Sequence, residues 1–316
     1  MSFVAFVVFA VALNFGFSLA AELNPRLRDP AYGDKFVKLK TKTPDVLMLG
    51  SSRTLLGFHA GRVEEQTGRT AFNFGTPATG PITHLVYLER LLKQGVRPRR
   101  LIVEVLPSMF ADGPEGPIEQ TFLNGERLTA DEIDTVERFG FAPAVVRPAW
   151  RESVIAPWWK LRFQILGRIS PSWLPWNLRF DWSRTADAHG WATPPRQEVT
   201  PEERAVQLAK VRDEYAHTLA HMVPNGRPLS ALRELIAICQ ANDIPVTLVR
   251  MPEGDTFREM YPPGLEERVT AILEPLGVPV IDARQWLTED DFYDGHHPFT
   301  RGAEKFTDRL IQDMRK

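Results

Sequence analysis

Two short stretches, far apart in a chain of 316 residues, carry the side chains of acyl-transfer chemistry. The first, Gly50-Ser51-Ser52-Arg53, follows the apolar run Val46 to Leu49; the second, Asp294-Gly295-His296-His297-Pro298, precedes the last helical pattern. Between them they hold a hydroxyl, an imidazole and a carboxylate. A serine hydroxyl is a poor nucleophile until a base takes its proton, and a carboxylate behind that base fixes its tautomer and offsets its charge. Ser52 is the candidate nucleophile and Ser51 its rival, which the pattern alone does not separate. His297 is the candidate base and Asp294 its carboxylate. His296 reads as a solvent-facing loop residue and Tyr293 as a packing one. A different use of the second stretch, a metal held by Asp290, Asp291, Asp294, His296 and His297, requires several carboxylates to converge.

Bringing the two stretches together suits a parallel α/β sheet. Apolar runs bounded by turn residues predict strands at residues 46–49, 71–74, 101–106, 245–249 and 278–281. Helical patterns fall at 60–67, 82–94, 229–241, 265–276 and 301–314. This alternation, with nearly continuous apolar strands, predicts a sheet covered on both faces. The expected fold is a doubly wound, flavodoxin-like three-layer α/β/α sandwich over residues 44–316, with strand order 2-1-3-4-5. Ligands of such sheets bind beyond the carboxyl ends of the strands, where Ser52 and Gly75 both fall.

Residues 111–227 break the rhythm and are expected to form a helical insertion that caps the strand ends. Two helix starts are signalled there by capping boxes, Thr129 with Glu132 and Thr200 with Glu203, the second with Pro201 at the first helical position. Seven of the eight tryptophans lie between Trp150 and Trp191. Three roles suit them: the core of the cap, a platform for sugar rings, or a membrane-interface belt aided by Arg151, Lys160, Arg162 and Arg168.

Gly50-Ser51-Ser52, Asn73-Phe74-Gly75 and Asp294 with His297 together resemble the sequence blocks of the SGNH (GDSL-like) hydrolase superfamily. The resemblance covers roughly residues 44–110 and 228–316. It implies a serine ester hydrolase with Ser52, His297 and Asp294 as its triad, and with the backbone N–H groups of Ser52 and Gly75 as oxyanion donors. The superfamily's third block, Gly-x-Asn-Asp, has no counterpart in Val103-Glu104-Val105-Leu106-Pro107-Ser108, which leaves one oxyanion donor unassigned. Gly-Ser-Ser in place of Gly-Asp-Ser, the missing block and an apolar start are more similar to the membrane-anchored branch. Members of that branch work beside membrane-bound O-acyltransferases on cell-surface polymers. The expected substrate is an O-acylated carbohydrate or another small ester, with no cofactor. The alternative is a catalytically weak accessory protein that binds glycan or a membrane O-acyltransferase.

Composition narrows the partners. A net charge of −2 with 25% charged residues gives no basic footprint for nucleic acid. Cys239, the only cysteine, excludes an intrachain disulfide and reads as a small core residue. Asn73, Arg53 and Arg250 are candidate substrate contacts, although ion pairing is the competing role for both arginines, with Glu104 available to either. His217 and His221 are spaced for a metal on one helix face, but no third ligand is apparent.

Residues 1–21 carry no charge, and about 20 apolar residues at 1.5 Å each cross a hydrocarbon core. The segment is a signal anchor, or a signal peptide ending at Ser18-Leu19-Ala20. Basic residues follow it, from Arg26 to Lys42, and none precedes it, which by the positive-inside rule keeps the body in the cytoplasm. The resemblance instead implies an extracytoplasmic body, anchored or secreted; basic residues upstream of Met1 would reconcile the two.

Overall fold

The structure, a computed structural model, describes residues 2–175, 179, 185–220 and 226–314. Five parallel strands form its central sheet: β1 (Val46–Leu49), β2 (Ala71–Asn73), β3 (Leu101–Glu104), β4 (Val246–Arg250) and β5 (Val280–Asp282). Their spatial order is β2-β1-β3-β4-β5, the expected one, with Met48 opposite Ile102 and Val103 opposite Leu248. Successive side chains of a strand point to opposite faces. Leu47, Met48, Leu49, Ile102, Val103 and Leu248 have no exposed surface, so both faces are covered.

The chain steps from β1 outward to β2 and then back past β1 to β3. Right-handed connections therefore place helix Ala60–Thr67 on one face and helix Pro81–Lys93 on the other. On the first face Met48, Ile102 and Val249 pack with Val63 and with Phe306 and Leu310 of helix Thr300–Asp313. Helix Arg227–Ala241 packs against Pro81–Lys93 and buries Leu232, Leu235 and Cys239. Coverage fails only at the β5 edge, where Val280 is 39% exposed and Asp282 turns its charge to Arg284. A short, charged edge strand resists pairing with another chain.

Both signalled helix starts are present. Thr129 and Glu132 form a reciprocal capping box on helix Ala130–Arg138. Thr200 Oγ1 accepts from the Glu203 nitrogen, and Glu203 accepts from the Thr200 nitrogen, at the start of helix Pro201–Ala220.

Two compact units divide the chain, residues 1–37 with 123–185, and residues 38–122 with 186–316. The second contains the whole sheet. Residues 111–122 and 186–227 belong to it, whereas 123–185 cluster with the N-terminal segment. In the first unit, helix Phe3–Leu23 is followed by short helices, and Arg127 forms a buried ion pair with Asp29 at 2.9 Å. Trp158, Trp159 and Trp173 are more than half exposed, Trp150 is half-buried, and Trp191 is buried in the sheet unit; Trp176 and Trp182 lie outside the described residues.

Leu248, at the centre of β4, sets a direct test of the core. Leu248→Ala should cost about 2–5 kcal/mol, read as a lower denaturant midpoint for the sheet unit's unfolding transition.

Candidate active site

The turn after β1 is fixed from below. Glu104, the last residue of β3, accepts hydrogen bonds from the Ser51 nitrogen at 2.7 Å, from Ser51 Oγ at 2.9 Å and from Thr54 Oγ1 at 2.7 Å. Ser51 Oγ also caps helix Ser52–Gly57 by accepting from the Arg53 nitrogen. The carboxylate comes so close that a Cβ on Gly50 would fall 2.5 Å from it. Ser51 is thereby buried and fully occupied, while the next residue, Ser52, points the other way and stays partly open. Glu104 thus sets the environments of the two serines apart.

Ser52 Oγ lies 2.8 Å from His297 Nε2, and His297 Nδ1 lies 2.7 Å from Asp294 Oδ2. The other Asp294 oxygen accepts from the His297 and His296 nitrogens at 2.8 and 3.2 Å, which orients the carboxylate. Burial alone would raise the Asp294 carboxyl, but the His296 and His297 rings and the His297 hydrogen bonds hold it well below the usual carboxylate range. An ionised Asp294 favours a proton on His297 Nδ1, the tautomer that leaves the Nε2 lone pair facing Ser52. Tyr293 stacks on the His297 ring at 5.7 Å. This chain of groups can lower the cost of removing the Ser52 proton.

His296 is not the solvent-facing residue expected. It is 3% exposed, stacked on Phe257 at 4.9 Å and in edge contact with Tyr215 of helix Pro201–Ala220. Burial lowers its pKa to about 3 against the pull of Asp294. The apolar ring contacts that bury it could not be seen from the loop sequence, because Tyr215 lies 81 residues away.

Four other candidate residues take structural positions. Asn73 donates to the Thr54, Leu55 and Phe58 carbonyls and accepts from the Gly75 nitrogen, so no polar atom of its side chain is left for substrate. Gly75 N–H is therefore committed to Asn73 Oδ1 at 2.8 Å rather than free for an oxyanion. Its lack of a side chain has a separate cause: a Cβ there would fall 2.4 Å from the Leu55 nitrogen. Arg53 is 1% exposed, lies 3.7 Å from Glu104 and 3.1 Å from Glu253, and donates to the Met251 carbonyl. Arg250 is buried in a two-bond pair with Glu266 at 2.8 and 3.0 Å. Both arginines are buried in ion pairs. The Ser52 N–H, first in its helix, has no acceptor within that helix and remains available.

Where the missing block would stand, Pro107–Phe110 forms a 3₁₀ turn, and Ser108 Oγ is buried without a hydrogen-bond partner among the described residues. For a metal, Asp294, His296 and His297 offer ligand atoms within 4.8 Å of one another. The carboxylates do not converge: Asp291 pairs with Lys305 at 2.7 Å and Asp290 is 89% exposed. His217 is exposed and His221 lies outside the described residues. Sequence reasoning passed over the support given by Glu253 and Tyr261, whose hydroxyl donates to Glu253 at 2.5 Å.

A family described as "Protein of unknown function (DUF1574)" matches residues 21–127. No curated protein matches the chain. Among solved structures, a proposed acylhydrolase from Bacteroides fragilis is 11% identical with a TM-score of 0.39, over 89% of this chain and 95% of that one. A GDSL-like lipase from Bacteroides thetaiotaomicron is 10% identical with a TM-score of 0.35, over 86% and 89%.

Two outcomes are expected from this geometry. Glu104→Ala leaves Arg53 buried with one partner fewer and should cost about 3–5 kcal/mol in denaturant unfolding. The second concerns pH. Burial lowers the pKa of both His84 and His296 to about 3. Their unfolded value is about 6.5, so between these limits the unfolded chain binds more protons. Stability is complete above that window and falls as pH drops through it, by up to about 1.4 kcal/mol per pH unit for each ring. Unfolding midpoints of His84→Gln and His296→Gln should vary less steeply across the window than those of the parent protein.

Proposed function

We propose that the chain is an SGNH-type serine esterase acting on O-acyl esters. The observation that carries this reading is the continuous path from Ser52 Oγ through His297 to Asp294, at 2.8 and 2.7 Å. Ser52 Oγ attacks the acyl carbonyl while its proton passes to His297 Nε2. The ionised Asp294 stabilises the imidazolium. The oxyanion receives the Ser52 N–H as its assigned donor; Gly75 joins only if its nitrogen leaves Asn73. Collapse of the intermediate expels the alcohol, which takes the proton from His297, and leaves an ester on Ser52. Water, activated by His297, then releases the acid and restores the serine.

A sugar hydroxyl in place of that water makes the same machinery an O-acyltransferase. Helix Phe3–Leu23 is long and apolar enough to cross a membrane, with a mean hydropathy of 2.3 over its apolar part. An anchored, extracytoplasmic enzyme that modifies cell-envelope glycans beside a membrane-bound O-acyltransferase suits this arrangement, and so does a secreted one if the helix is cleaved. The commitment of the Gly75 N–H favours one competing reading, an accessory protein with a weakened site. Losing one oxyanion donor costs about 10²–10³ in rate.

Hydrolysis of a short-chain aryl acetate separates the two. Ser52→Ala and His297→Ala should each remove activity by at least about 10³-fold, and Asp294→Asn by a similar factor. Ser51→Ala should keep most of the activity and lose about 0.5–2 kcal/mol of stability with its cap. A folded parent protein with no turnover above the Ser52→Ala background supports the accessory reading.

A further inference from the structure

Between Phe3 and Ala21 the apolar helix has two hydrogen-bonding side chains, Asn14 and Ser18, and both serve the same neighbour. Spaced by four residues, they share one helix face. Asn14 Nδ2 donates to the Ile155 carbonyl at 2.8 Å, and Ser18 Oγ donates to the Val154 carbonyl at 3.2 Å. These are the last two carbonyls of helix Pro143–Ile155, which no N–H of that helix can reach. Exposed to water, such carbonyls need no protein partner. In hydrocarbon an unpaired carbonyl is heavily penalised, and a side chain must supply its bond.

The same contacts set a depth. With Ala21 at the hydrocarbon boundary, a rise of about 1.5 Å per residue puts Ser18 roughly 4.5 Å and Asn14 roughly 10 Å inside it. The end of helix Pro143–Ile155 is held at those levels. Its continuation agrees: residues 153–159, Ser-Val-Ile-Ala-Pro-Trp-Trp, carry no charge. Ile155, Trp158 and Trp159 expose 64, 59 and 53% of their surface. Charges flank the stretch, with Glu152 paired to Lys160 across its base and the Arg162 guanidinium 4.1 Å from the Trp159 ring. Aromatic rings with cationic neighbours favour the level of the lipid headgroups.

We infer that the corner at residues 153–159 is a re-entrant wedge seated in the lipid bilayer against the N-terminal helix, with Ile155 among the acyl chains and the two tryptophans at their boundary. The inference rests on reading Phe3–Leu23 as a retained anchor. Its consequence is a second attachment point, which stops the N-terminal unit from turning about the helix axis.

The test uses the full chain in vesicles of phosphatidylcholine and phosphatidylglycerol, with a nitroxide on Phe9→Cys or Ile155→Cys. Cys239 stays unlabelled because it is buried and burial pushes its thiol up to about 12. Both labels should be reached by oxygen and shielded from an aqueous nickel chelate. A lipid-facing Phe9 site with a nickel-accessible Ile155 site overturns the wedge and leaves the anchor standing. Nickel access at both sites overturns the anchor reading and the wedge with it. Oxygen and nickel both excluded at Ile155 means that protein covers the corner, which also overturns a lipid contact. Should Ile155→Cys not fold, brominated-lipid quenching of tryptophan emission replaces it: the quenched fraction should fall in Trp158→Phe/Trp159→Phe, and an unchanged fraction overturns the wedge.

Discussion

One buried negative charge organises the carboxyl end of the sheet. Glu104 closes β3 with its carboxylate inside the protein, where an ion survives only if it is paired and hydrogen-bonded. Ser51 and Thr54 supply the hydrogen bonds, and Arg53 supplies the opposite charge. Arg53 then reaches the carbonyls of Met251 and Pro252 and the side chain of Glu253. The carboxyl ends of β1, β3 and β4 are thus tied through one guanidinium. A serine held on that knot has little freedom, and His297 meets it at hydrogen-bond distance.

Much of this was legible in the sequence because it depends on local pattern. Apolar runs such as Val46 to Leu49, short and bounded by turn residues, read as buried strands, and the alternation of strands with helices leaves few topologies. The hydroxyl, imidazole and carboxylate stood out only in combination, since a Gly-Ser-Ser turn is more often a helix cap and Asp-x-x-His is common by chance. What could not be read was which of two adjacent residues faces the site. Ser51 and Ser52 differ only in whether Glu104 is underneath, and His296 and His297 only in which ring meets Phe257. Both answers come from residues distant in sequence.

Asn73, Arg53 and Arg250 show the same limit from the other side. Each has the chemistry to hold a substrate, and each lies near a strand's carboxyl end. Each is instead buried against its neighbours: Asn73 donates to three carbonyls, Arg53 pairs with Glu253, and Arg250 pairs with Glu266. Residue type announces a hydrogen-bonding capacity without saying where it is spent. The tryptophans also escaped a single reading, since their sequence clustering masks two environments: Trp191 packs on His59 in the sheet unit, while Trp158 and Trp159 project outward from the other.

The pairing of β3 with β4 spans a long gap in the chain, for Leu101 lies beside Val246. Strands β1, β2 and β3 can associate as soon as they are made, but the sheet cannot widen until residues 105–245 have been synthesised and the resulting loop has closed. His297 arrives later still, 245 residues after the serine it contacts. For most of its synthesis the growing chain therefore carries the hydroxyl without the imidazole that meets it. The hydrogen bond between them forms only once the scaffold on both sides of it is complete.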